Sequence, residues 1–147
     1  NVNIVFLSGG DDIGLFPKRD HTELNIIKYC LKKNIPLIGV CRGLQLVNIF
    51  LGGKLKKLNI DNKSLHVSNK HFINYFGKKR LVNSFHSNVI DEEFLNKKIE
   101  VLARCNIDQT IEAFRFKNIL ALMWHPERDE VAEQWVKEII FKHIDEG

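Results

Sequence analysis

Residues 35–53, IPLIGVCRGLQLVNIFLGG, constrain the chain more than any other stretch. An apolar run of strand type, residues 36–40, stops at Cys41; an amphipathic helical run, residues 44–51, begins at once and is closed by Gly52 and Gly53. The pattern Gly39-Val40-Cys41-Arg42-Gly43 is therefore a strand-to-helix elbow, in which the two glycines let the backbone make a strained turn that lifts the central side chain out of the fold. A thiol in that place stands at a helix N-terminus, where unpaired N–H groups and the macrodipole favour thiolate. The bland alternative is a buried structural cysteine. What speaks against it is the placement between a strand and a helix, more than the five-residue pattern.

A chain of 147 residues, 44% of them hydrophobic, is long enough to bury a core, and it reads as one domain over residues 1–147. The formal charge of +4 suits an anionic small molecule, and a compositional bias toward Lys, Asn and Ile explains it equally well. No basic cluster with interleaved aromatics points to nucleic acid. Cys30, Cys41 and Cys105 are odd in number and far apart, which disfavours a disulfide framework and suits a reducing cytosol. With no signal peptide or membrane-length apolar run in view, a cytoplasmic protein without a membrane partner is expected.

Along the chain, residues 3–7 (NIVFL) read as a buried strand that ends in the tight loop Ser8-Gly9-Gly10-Asp11-Asp12. Asp20 with Glu23 three residues on predicts a capping box and a helix to about Lys33. Strand, helix, strand and helix up to Gly53 argue an α/β fold, a mostly parallel sheet flanked by helices, with ligands at the strand C-terminal ends. After Gly53 come short β-like pieces at residues 54–58, 70–76 and 80–85, with a turn at 77–79. Residues 100–105, 110–116 and 119–124 then alternate apolar and polar and predict antiparallel hairpins attached to the parallel core. Asp91-Glu92-Glu93 reads as a solvated helix N-terminus, and residues 129–143 as a terminal helix with one apolar face.

A thiolate needs a base, and the base needs orienting. His125 stands at the end of an apolar strand and is followed by Pro126 and Glu127. Proline keeps the preceding residue extended, so Glu127 falls on the same side and can hold the His125 ring; the alternative is a surface His-Glu pair. An oxyanion hole wants two backbone N–H groups, for which Arg42 and the Gly9-Gly10 loop are the sources. Gln45, one helical turn beyond Cys41, is a candidate substrate contact or a solvated polar position. Ser84 and His86 could hydrogen-bond a polar substrate, although His86 by pattern alone reads as structural. His66 and His71 have no Cys or carboxylate companions at metal-ligand spacing, so no metal site is expected.

With these residues in hand the chain resembles the class I glutamine amidotransferases, and more narrowly their γ-glutamyl hydrolase branch of peptidase C26 type. Four blocks carry the resemblance: LSGGDDIG at residues 7–14, PLIGVCRGLQLVNIFLGG at 36–53, VNSFHSN at 82–88 and ALMWHPE at 121–127. It implies a flavodoxin-like three-layer sandwich, a triad of Cys41, His125 and Glu127, an oxyanion hole from Gly10 and Arg42, and glutamyl recognition around Gln45, Ser84, Phe85 and His86. The implied reaction cleaves a γ-glutamyl amide through a glutamyl-thioester without a cofactor.

Two departures from the family pattern stand out. A further N-terminal βαβ unit usually precedes the Gly-Gly strand, so an incomplete N-terminus is expected. His86-Ser87-Asn88 replaces a common His-His-Gln on the leaving-group side. That change, with the positive charge, suggests a nucleotide-like anionic leaving group, with Lys18 and Arg19 nearest the pocket mouth. A homodimer is compatible with the family, and two other readings stay open: an amidase subunit feeding ammonia to a synthetase partner, and an inactive binding module.

Overall fold

The structure, a computed structural model, describes residues 2–58, 66–128 and 134–146. Its elements in chain order are β1 (Val5–Leu7), α1 (Pro17–Lys33), β2 (Leu37–Val40), α2 (Arg42–Phe50), β3 (Lys56–Lys57), β4 (Val67–Tyr75), β5 (Lys78–Phe85), β6 (Asn88–Val89), β7 (Glu100–Cys105), β8 (Ile111–Phe116), β9 (Ile119–Leu122) and α3 (Gln134–Glu146). A strand covered on both faces must be apolar on both, and β9 with the residues after it satisfies this at every position. Ile119, Ala121 and Met123 pack on one side with Ile27 and Cys30 of α1 and Leu44 and Val47 of α2; Leu120, Leu122 and Trp124 pack on the other with Ile139 of α3. Helices therefore cover both faces, and the expected three-layer α/β fold is the one observed.

The main sheet runs β1-β2-β9-β8-β7-β4-β5, and β3 pairs with β6 apart from it. The strands β1, β2 and β9 are parallel. Among the described residues every further neighbour pair is antiparallel, so the hairpins extend the same sheet and the parallel part is confined there to three strands. The reason is local: the short turn at Lys117 and Asn118 joins β8 to β9, and a parallel partner would have needed a long crossover.

Local differences from the sequence reading have simple causes. Helix α1 starts at Pro17, three residues before Asp20, because the fixed φ of proline is already helical and its missing N–H costs nothing at that position. No side chain caps α1, so Asp20 and Glu23 are released for other work described below. The turn between β4 and β5 lies at Phe76 and Gly77, both at positive φ as a two-residue hairpin requires, and this returns Lys78 and Lys79 to β5. Residues 91–93 lie at the start of the short 3-10 helix Glu92–Phe94. Residues 129–133 of the expected last helix lie outside the described residues. Among the described residues no helix is long and apolar enough to cross a membrane.

Candidate active site

The C-terminal ends of the three parallel strands lie side by side, with Leu7 opposite Gly39 and Val40 opposite Leu122. Each end delivers one part of the expected site: the Gly9-Gly10 loop after β1, Cys41 after β2 and His125 after β9. The Cys41 N–H donates to the Leu122 carbonyl at 2.7 Å, and the Cys41 carbonyl accepts from Gln45 N–H at 3.1 Å, so one residue closes the sheet and opens α2.

Cys41 has φ 51° and ψ −101°, a conformation costing an L-residue about 1–3 kcal/mol. The strain thus sits on the cysteine itself, and the two glycines have a different task from the one read in the sequence. A Cβ on Gly43 would come within 2.4 Å of the Leu7 carbonyl oxygen, and one on Gly39 within 2.9 Å of the Gly43 backbone. They let the elbow press against itself and against β1.

The sequence reading lifts the Cys41 side chain out of the fold, and the structure corrects this: Cys41 is 5% exposed and packs with Val40, Leu122 and Trp124. Burial pushes its thiol up to about 11; the Arg42 backbone N–H and the Arg128 charge pull the other way, and the carboxylates of Glu112 and Glu127 add to the rise. The helix N-terminus favours thiolate as expected, but desolvation outweighs it. Cys105 is likewise raised to about 11, with burial the main cause, and burial also raises Cys30.

The His125 ring is fixed from several sides. Its Nδ1 lies 2.6 Å from Glu127 Oε1; a carboxylate only accepts, so Nδ1 donates, and in the neutral ring this selects the tautomer whose lone pair is on Nε2. The contact is the one the two-residue spacing predicts, although residues 126–128 form a 3-10 turn, with Arg128 N–H donating to the His125 carbonyl at 3.1 Å, and not extended chain. Phe85 meets the imidazole edge to face at 5.7 Å between centroids, and Gly9 lies so close that an added Cβ would stand 2.5 Å from His125 Cε1. The backbone of His125 is held by Asn83, which bonds both its N–H and its carbonyl.

Arg42 is buried, and its guanidinium pairs with Asp20 and Glu23 of α1. Glu23 also accepts from Arg19 Nε at 2.8 Å, while Arg19 Nη2 donates to the Gly9 carbonyl at 3.1 Å. A trans peptide points its N–H opposite its C=O, so Arg19 fixes the direction in which the Gly10 N–H faces. Gln45 is buried with Nε2 3.8 Å from Met123 Sδ. The buried Ser84 hydroxyl donates to the His66 carbonyl at 2.7 Å, and buried His86 has Nδ1 3.0 Å from the Asn88 carbonyl. Ser84 and His86 thus engage the interior of the antiparallel half of the molecule, whereas Phe85 between them faces His125.

Three residues with a part in this geometry escape the sequence reading. Asn83 lies within the quoted block VNSFHSN and reads there as an ordinary polar strand residue. Arg128 directly follows the His-Pro-Glu run; it stacks on Phe85 at 4.3 Å and acts electrostatically on Cys41. Glu112 is a lone charge in the apolar run IEAF, a signal that could have been noticed, and it is fully buried.

The sequence profile of the Peptidase C26 family matches residues 10–127. The chain is 32% identical over 148 residues to a gamma-glutamyl-CDP-amidate hydrolase of Campylobacter jejuni, an alignment covering 91% of this chain and 70% of that protein. It is also 32% identical over 171 residues to a glutamine amidotransferase-like protein, YvdE, of Lactococcus lactis, covering 94% of this chain and 71% of the relative. Among solved structures, a glutamine amidotransferase from Thermotoga maritima superposes with a TM-score of 0.72 at 20% identity, over 98% of this chain and 63% of that one.

Proposed function

The chain belongs to the Peptidase C26 family of glutamine amidotransferase-like hydrolases, and from that premise we propose that it cleaves a γ-glutamyl amide, with Cys41 as nucleophile, His125 as general base and acid, and Glu127 as the group that orients the base. The observation that carries this reading is the convergence of a strained cysteine elbow, a carboxylate-bound histidine and a glycine loop at the ends of three adjacent parallel strands.

Cys41 Sγ attacks the γ-carbonyl carbon as His125 Nε2 takes the thiol proton. The thiol is neutral at rest, since burial raises it to about 11, so this transfer accompanies attack and makes the base indispensable. The oxyanion is met by the backbone N–H groups of Gly10 and Arg42. His125 then gives the proton to the leaving nitrogen, the C–N bond breaks and a glutamyl-thioester remains. A water deprotonated by the same imidazole attacks the thioester, releasing glutamate and restoring the thiol.

For the leaving group we favour a nucleotide-linked amidate, in keeping with the name of the Campylobacter relative. The experiment is turnover of the chain alone on a panel holding glutamine and a γ-glutamyl nucleotide amidate, with products and any acyl adduct on Cys41 read by mass spectrometry. Glutamate release and a glutamyl adduct that Cys41→Ala lacks are the expected outcome. Silence of the chain alone, reversed by a synthetase, would transfer the reading to an ammonia-supplying subunit.

A further inference from the structure

Beside the candidate site, the antiparallel half of the sheet buries three imidazoles around one carboxylate. Glu112 of β8 is fully buried, and among the described residues its carboxylate oxygens make no well-formed hydrogen bond, the nearest ring nitrogen being His71 Nε2. Its Oε1 lies 3.3 Å from Nε2 of His71, 3.6 Å from Nε2 of His86 and 3.8 Å from Nδ1 of His66. The sequence reading discounts a metal here for want of carboxylate companions; the pairing of β4 with β5 and β7, and of β7 with β8, brings one in from some forty residues away.

The outer hydrogen bonds decide which ring nitrogens face the carboxylate as lone pairs. His66 Nε2 is 2.7 Å from Asp108 Oδ2, an acceptor, so the proton sits on Nε2 and leaves Nδ1 bare toward Glu112. His86 Nδ1 is 3.0 Å from the Asn88 carbonyl, which can only accept, so Nε2 is bare toward Glu112. Among the described residues neither His66 Nδ1 nor His86 Nε2 has a hydrogen-bond partner, although both are buried. With the rings neutral, two lone pairs and a carboxylate converging in the interior repel one another unless a proton or a metal ion stands between them. The arrangement also carries the outer shell of a metal-bound histidine, a ligand ring whose far nitrogen is held by a carboxylate or a backbone carbonyl. Asp108 is itself oriented by the Thr110 hydroxyl at 2.8 Å.

We propose that His66 Nδ1, His71 Nε2 and Glu112 Oε1 form a binding site for a divalent transition metal ion of zinc type, with His86 Nε2, 3.6 Å from Glu112 Oε1 but outside the close group of the other three, as the fourth ligand that moves in on binding. With metal–nitrogen bonds of about 2.0–2.1 Å, neighbouring ligand atoms of a tetrahedral site lie about 3.3–3.5 Å apart, close to the three separations from Oε1. The ligand atoms of His66, His71 and Glu112 all fall within 4.8 Å of one another. The ion would pin the β4–β5 hairpin to β8 across β7. Glu112 in turn accepts the Met123 N–H at 2.7 Å through its backbone carbonyl, two residues before His125, so the site braces the strand end that carries the proposed base.

The test uses the whole chain carrying Cys41→Ala, which removes the thiol beside the site, stripped by a chelator and titrated with Co²⁺ under visible absorption and native mass spectrometry. Saturation at one ion per chain, with the strong visible bands of four-coordinate cobalt and displacement by Zn²⁺, is the expected result. Asp108→Asn should weaken binding about 10–100-fold, as loss of an outer-shell partner does, and Glu112→Gln at least as much. If Glu112→Gln fails to fold, Asp108→Asn, whose side chain is partly exposed, carries the comparison. No saturable uptake by the folded chain would overturn the proposal, as would affinity unchanged in both variants. Sulfur-to-cobalt charge-transfer absorption would overturn it too, by assigning the ion to Cys105, which lies within reach of His66 and Asp108.

Discussion

Asn83 brackets the backbone of His125: its Oδ1 accepts the His125 N–H at 2.8 Å, and its Nδ2 donates to the His125 carbonyl at 2.8 Å. Both groups are buried, and the chain after β9 has left the sheet ladder there, so no strand replaces the amide. Asn83→Leu would strand the His125 N–H at about 1–3 kcal/mol, leave its carbonyl to the Arg128 N–H alone and let the ring drift. A melting temperature lower by several degrees and a kcat reduced at least about tenfold are expected. Wild-type kcat in a destabilised Asn83→Leu chain would show that the bracket serves stability alone.

The raised thiol of Cys41 predicts a pH dependence with a definite sign. A thiol at about 11 is almost wholly protonated at neutral pH, and its anion grows about tenfold per pH unit up to that value. Alkylation of Cys41 in the free protein by a small neutral electrophile should therefore climb throughout pH 7 to 10 without a plateau, given the about tenfold-per-unit rise in thiolate. Cys30 and Cys105, both fully buried, should react more slowly still. A plateau below pH 8 would mean that thiolate is already formed at rest.

Removing the nucleophile should abolish turnover and leave the fold. Because Cys41 is buried, Cys41→Ala also loses packing; one heavy atom is missing, so the cost should stay near about 1 kcal/mol, at the small end of core truncations. Full turnover in Cys41→Ala would remove the mechanism.

Glu127→Gln should preserve the fold, since the Glu127 side chain is 55% exposed, and lower kcat at least about tenfold, part of the 10²–10⁴-fold that a general base contributes. His125→Ala should be more severe. A kinetically silent Glu127→Gln would assign the orientation of the ring to Asn83, Phe85 and Gly9.

Two glycines should fail in different assays. A methyl on Gly9 meets the His125 ring at 2.5 Å, whereas one on Gly43 meets the backbone oxygen of Leu7 at 2.4 Å. Gly9→Ala should therefore lower kcat with a small change in melting temperature, and Gly43→Ala should lower the melting temperature first. Equal effects of the two on thermal stability would contradict this division.

The proposed anionic leaving group calls for a cation at the pocket, and Arg128 adds a candidate to Lys18 and Arg19. Arg19 is committed to Glu23 and the Gly9 carbonyl, while exposed Arg128 lies over Phe85 and acts on Cys41. For a γ-glutamyl nucleotide amidate, kcat/KM should fall with added salt and drop several-fold more in Arg128→Ala than kcat/KM for glutamine, which loses only the effect of Arg128 on Cys41. Equal salt responses for the two substrates would refute selection by charge.

What could be read in the sequence was local. The elbow is written within residues 36–53, and the His125–Glu127 contact spans two positions, so spacing alone sufficed. Burial of Cys41 was not legible, because exposure is set by elements that close over it from elsewhere, Trp124 among them. Arg42 enters the sequence reading through its backbone N–H alone, because the partners of its side chain, Asp20 and Glu23, stand 22 and 19 residues earlier on α1, where their spacing imitates a capping box. The companions of His66 and His71 depend on which strands pair, which periodicity within one strand does not encode.

Strand β9 has a parallel neighbour on one side and an antiparallel one on the other. The proposed chemistry comes from the parallel side and the wall carrying Phe85 from the antiparallel side, so the two can be altered separately. A hairpin can lengthen at its turn and keep the same faces inward. In such a molecule specificity is adjustable on one strand residue by residue: a different side chain in place of Phe85 would present a new surface to the leaving group, while Asn83 two positions earlier on β5 keeps His125 in place.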